Sequence, residues 1–125
     1  MDIRRYKFDA DKTLLKELLI DGYLAAQNAH KYIFEKKTNV SMAYLTEANT
    51  FFTNARILYS QNLDLESLEI DMETLFHRFR VFNNELLECV ATDHSHQWTD
   101  IEFNAFKDEI LKVTEIHDFI TSLEV

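Results

Sequence analysis

An all-α fold is what this chain of 125 residues predicts, specifically an antiparallel up-down-up-down four-helix bundle with a short N-terminal extension. Three observations predict it. Proline is absent and glycine occurs once, at Gly22, so the residues that punctuate sheets, hairpins and linkers are missing. Hydrophobic residues make up 46% of the chain and recur at alternating spacings of three and four in four separate stretches. The breaks between those stretches are short and polar, which favours neighbouring helices running in opposite directions. The length fits a single domain spanning 1–125, large enough to bury roughly two-thirds of the surface exposed by the unfolded chain.

The first helix is expected over about 12–36, with Asp9 or Asp11 as its N-cap. Leu15, Leu19, Gly22, Ala26, Ala29 and Ile33 fall on one face, and Leu18, Ala25 and Tyr32 widen it. The middle of this face is small, so a neighbouring helix can approach closely there. Such packing compensates the roughly 1 kcal/mol of helix propensity that glycine gives up relative to alanine.

The second helix is expected over 41–60, capped by Asn39 or Ser41. Tyr44, Ala48, Phe51, Ala55 and Leu58 form its seam, with Leu45, Phe52 and Tyr59 as a parallel row. The third, over 64–90 with Asp64 as cap, has the most regular pattern: Leu65, Leu68, Met72, Leu75, Phe79, Phe82, Leu86 and Cys89. Asn83-Asn84 marks the one place where it is expected to risk breaking. The fourth is expected over 99–123, opened by a Thr99–Glu102 capping box and lined by Phe103, Phe106, Ile110, Val113, Ile116, Ile120 and Leu123.

Charge bounds the partners. The formal net charge of -9 is uneven, because residues 1–37 hold eight Lys or Arg against six Asp or Glu. A net acidic surface repels phosphate backbones, so no direct nucleic-acid binding is expected. No stretch reaches the roughly 20 apolar residues of a membrane span, and no signal-peptide pattern follows Arg4, Arg5 and Lys7. Cys89 is the single cysteine, so no intramolecular disulfide forms. These features predict a cytoplasmic protein that does not enter a membrane.

Several polar clusters bear on chemistry. Cys89, Asp93, His94 and His96 are all competent zinc-ligand types, but structural zinc usually takes paired ligands at both ends of a longer segment. With no second pair, they rank only as weak metal candidates, and Cys89 also sits in the helix-three seam. Glu69, Glu73 and His77 line up at spacings of four. Di-iron bundle sites need Glu-x-x-His, which this chain lacks, so Glu73 and His77 are expected to pair as helix neighbours. The same absence sets the chain apart from ferritin-like oxidases. The helical ribonucleases of toxin–antitoxin systems carry an arginine, four to six intervening residues and then a histidine on one helix, and no arginine here is followed by a histidine at that distance. His117 beside the last seam is expected to be buried against a partner such as Tyr59.

Two surfaces are candidates for docking. Asp64, Glu66, Glu69, Asp71 and Glu73 concentrate carboxylates near the start of helix three; Glu66, Glu69, Asp71 and Glu73 form an acidic patch suited to a basic protein partner. Tyr6, Phe8 and Trp98 lie off every seam and form either hydrophobic staples or an aromatic patch. Extra aromatic rows leave room for a homo-oligomer. No catalytic residue and no cofactor is expected. The sequence therefore reads as a small acidic protein–protein interaction module of adaptor, immunity or inhibitor type. The two alternatives are an acidic inhibitor that imitates nucleic acid, such as a phage anti-defence protein, and a metal-binding helical-bundle enzyme.

Overall fold

The computed structural model describes residues 3–61, 71–92 and 97–123, with the side chains of 3–8 and 115 outside that description. Five helices account for these residues: α1 (Ile3–Phe34), α2 (Thr38–Gln61), α3 (Met72–Thr92), α4 (Gln97–Ile110) and α5 (Thr114–Leu123), with no strand among them. The expected N-terminal extension is instead the opening of α1, whose 32 residues span about 48 Å. Nothing in 3–11 ends a helix. Asp9 and Asp11 are therefore helical rather than capping, and Phe8 lies within the helix, not ahead of it.

α1 ends by a backbone device. Lys36 takes the left-handed conformation with φ 63°, Lys37 N–H donates to the Tyr32 carbonyl at 2.8 Å, and Lys36 N–H donates to that of Ile33 at 3.1 Å. These two bonds satisfy carbonyls that the end of a helix leaves without partners, in the Schellman arrangement. A lysine occupies the position where glycine is usual.

The chain then turns into α2, which begins at Thr38 rather than at the expected 41. Ser41 is no cap. It is buried in the first turn, and its Oγ donates to the Ala29 carbonyl at 2.6 Å. The small residues of α1 meet α2 as their spacing implied: a Cβ built on Gly22 would lie 2.7 Å from Phe52 Cε2. Near the turn, Tyr32 stacks on Tyr44 with centroids 5.6 Å apart and planes 5° from parallel.

Asp71 is itself non-helical and caps α3 at Met72, so the helix expected over 64–90 does not run through 71; the expected cap at Asp64 falls outside the described residues. Asp71 Oδ1 accepts from Glu73 N–H at 3.0 Å, and Oδ2 accepts from Thr74 Oγ1 at 3.0 Å. The helix continues through Asn83-Asn84 to Thr92 without a break. Asn83 instead ties α3 to α2, accepting from Asn49 Nδ2 at 2.8 Å.

The fourth stretch departs most from expectation. α4 starts at Gln97, so Thr99 is already helical and buried, with its hydroxyl directed to the Glu85 carbonyl at 3.4 Å. Thr99 and Glu102 therefore form no capping box. The stretch also divides at 111–113, where Lys112 and Val113 N–H bond three residues back, to Glu109 and Ile110. Adjacent β-branched Val113 and Thr114 resist continuation of the helix. The seam crosses the break regardless, since Val113, Ile116 and Ile120 remain buried with Phe103, Phe106 and Ile110.

The core is aromatic at its centre. Phe52 stacks on Phe79 at 4.2 Å, Phe82 meets Phe103 edge-on at 5.4 Å, and Phe106 lies 6.0 Å from Tyr23. One ring cluster thus joins α1, α2, α3 and α4. The broad packing surfaces are α1 on α2 and α3 on α4, whereas α2 and α3 meet only narrowly. Because α2 and α3 barely meet, a cleft remains between them.

Candidate functional site

The cleft between α2 and α3 has a volume of about 160 Å³. Its floor is formed by the buried rings of Phe52, Phe76 and Phe79. Arg56 on α2 and Arg80 on α3 stand on opposite walls, with Thr53 and His77 beside them. Glu73 is the only carboxylate among its described lining residues. Asn49 and Asn83 close one end. The amide of Asn49 is fully committed there, donating to the Leu45 carbonyl at 2.9 Å as well as to Asn83. Among the described residues, neither Arg56 nor Arg80 has an ion-pair partner.

A second polar arrangement joins α1 to α4. His30 Nε2 lies 2.6 Å from Asp100 Oδ1, with the two side chains 22% and 34% exposed. A carboxylate only accepts, so the ring nitrogen is the donor. The imidazole also stacks on Phe103 at 4.4 Å and 10° and meets the edge of Phe82 at 6.4 Å. A histidine fixed in this way has the geometry of an oriented base. Among the described residues, however, no serine, threonine or cysteine side chain is bonded to it. What the pair does in the structure is tie two helices together.

The residues singled out from sequence are dispersed. Cys89 is buried in α3, and Asp93, His94 and His96 lie outside the described residues. No group of three or more His, Cys, Asp or Glu among the described residues is placed to hold a metal ion. Glu66 and Glu69 are likewise outside the description. Asp71 and Glu73 are exposed, and the Asp71 carboxylate is occupied in capping α3. Its pKa lies below the ordinary carboxylate value, held there first by the Thr74 hydroxyl, then by the N–H groups of Thr74 and Glu73.

Glu73 and His77 form no ion pair, contrary to expectation; His77 faces the cleft instead. His117 is exposed rather than buried, with Nδ1 3.4 Å from Asp118 Oδ1, because α5 turns Ile116 and Ile120 to the core and leaves the positions between them outside. Tyr6 and Phe8 belong to α1, and their side chains lie outside the description. Trp98 stands in the first turn of α4 with 61% of its surface exposed, not folded back as a staple ahead of the helix. Ile101, one turn further on, is 47% exposed.

Sequence reasoning missed His30 and the two arginines. Their spacing contained part of the signal: Asn49, Thr53 and Arg56 share one helical face, as do Glu73, His77 and Arg80. Spacing does not tell which faces meet. No helix among the described residues is long and apolar enough to cross a membrane. No family model matches the chain, and no curated protein or solved structure matches it.

Proposed function

We propose that this chain is a small acidic interaction module without catalytic activity that binds another protein through the outer face of α4. The observation that carries this reading is the exposure of Trp98, together with Ile101 one turn away. A tryptophan costs several kcal/mol to truncate when it anchors an interface, and tryptophans are enriched at the centres of such interfaces. Here it fills no part of the core. The scaffold we assign is the up-down-up-down bundle, with α4 and α5 together serving as its fourth rod. The hydrogen bond from Ser41 to Ala29 and the approach of Gly22 to Phe52 support that arrangement for the first hairpin.

The partner is a folded protein rather than nucleic acid, because a chain of net charge -9 is repelled by phosphate backbones. The test compares the native chain with Trp98→Asp and Ile101→Asp as baits in extract of the source cell. Both variants are expected to melt as the native chain does, since surface changes usually alter stability by less than about 0.5 kcal/mol. The reading requires a protein that the native bait retains and both variants lose. Retention of the same proteins by all three baits refutes it.

A further inference from the structure

We propose that the α2–α3 cleft is a binding site for a monocarboxylate carried on a phenyl-sized apolar body. This goes beyond the docking face on α4 and does not depend on it. Three features of the cleft set the chemistry. Its volume, about 160 Å³, gives room for a phenyl-sized group in a cleft that opens to solvent. Its floor consists of the Phe52, Phe76 and Phe79 rings, against which a flat apolar group packs.

The walls set the charge. Arg56 and Arg80 face the cleft from two helices, and among the described residues neither is neutralised by an ion pair. In a chain with 22 acidic residues and 13 basic ones, two such arginines at one concavity form a local positive field. Guanidinium groups donate paired hydrogen bonds that match the two oxygens of a carboxylate. Glu73 on the rim offsets one of the two positive charges, so the site suits a single negative charge better than a phosphate dianion or a polyanion. The Asn49 amide adds no donor, because both of its hydrogens are already used. Thr53 and His77 remain as neighbouring polar groups. A free small carboxylate and the C-terminal carboxylate of a peptide ending in an aromatic residue offer the same chemistry.

The experiment is a titration of the whole, isotope-labelled chain, followed by NMR at the Asn49 and Asn83 side-chain amides. Phenylacetate, phenylacetamide, inorganic phosphate and the peptide acetyl-Gly-Gly-Phe are the probes. Phenylacetate is expected to bind with a dissociation constant of roughly 1 mM, as its size allows. Phenylacetamide and phosphate are each expected to bind about tenfold more weakly, and Arg56→Gln or Arg80→Gln to weaken phenylacetate about fivefold. Tighter binding of acetyl-Gly-Gly-Phe than of phenylacetate assigns the site to chain termini; the reverse order assigns it to small carboxylates.

Absence of shifts at those amides with phenylacetate, or equal binding of phenylacetamide, overturns the proposal. So does equal binding of phosphate. If one arginine variant fails to fold, the other carries the test, and unchanged affinity in a folded variant also overturns it. Trp98→Asp is expected to bind phenylacetate normally, so failure of the α4 docking face and failure of this site are separable.

Discussion

Replacing Gly22 with alanine opposes two effects of known sign. In a helix interior alanine is favoured over glycine by about 1 kcal/mol, so propensity alone predicts a more stable protein. The structure predicts the reverse. A methyl carbon at residue 22 would sit 2.7, 3.0 and 3.1 Å from Cε2, Cδ2 and Cζ of Phe52, against an optimum near 3.5–4.0 Å. The ring has little freedom to retreat, because it stacks on Phe79 at 4.2 Å and meets Phe106 edge-on at 5.5 Å. Overpacking of this kind costs about 1–3 kcal/mol, which leaves a net loss of about 1 kcal/mol after the propensity gain. For a domain of this size the midpoint of melting falls by roughly 3–5 °C. Urea unfolding followed by circular dichroism measures the loss, and the double variant with Phe52→Leu measures the coupling, expected to be about 1 kcal/mol in favour of the pair. If Gly22→Ala alone stabilises the chain by the full propensity difference, α1 and α2 are not as close as described and the reasoning fails.

Lys36→Gly is expected to stabilise the chain by about 0.5 kcal/mol, since relief of the left-handed strain exceeds glycine's greater freedom in the unfolded state; a lower urea midpoint contradicts this. The His30–Asp100 contact is expected to show a coupling of about 1 kcal/mol in a cycle of His30→Ala and Asp100→Asn, discounted for its partial exposure; additive effects contradict it. Asp71 gives a pH signature. Its folded pKa lies below the ordinary value of 3.8, so its contribution is complete above that value and is lost as pH falls through the folded pKa. The difference in stability between the native chain and Asp71→Ala is therefore expected to be constant at neutral pH and to shrink in strong acid. A difference independent of pH throughout means that the carboxylate does not cap α3.

Much of the fold was legible because burial repeats with the helical period. The α1 row from Leu15 to Ile33 and the described α3 row from Met72 to Cys89 are buried throughout, and the last row is buried from Phe103 to Ile120. Helix ends were less legible. Asp11, Ser41 and Thr99 have the chemistry of caps, yet each lies inside a helix, and Ser41 and Thr99 bond to carbonyls of another helix. A hydroxyl serves either purpose equally well, and only the neighbouring helix decides which. The break at 111–113 left no mark in the apolar spacing, because three residues of turn occupy the register that helix would have used. The cleft was invisible for a related reason: Arg56 and Arg80 each look like solvated surface until α2 and α3 are placed side by side.

The narrow meeting of α2 and α3 has a mechanical consequence. The two helix pairs, α1 with α2 and α3 with α4, are also joined by the α1–α4 contact and the shared ring cluster, so local opening starts along the α2–α3 line while α1 and α4 stay together. Parting there exposes Phe52 and Phe79 together, since their rings face each other across it. Binding of an apolar dye ahead of any loss of helical circular dichroism reports that separation.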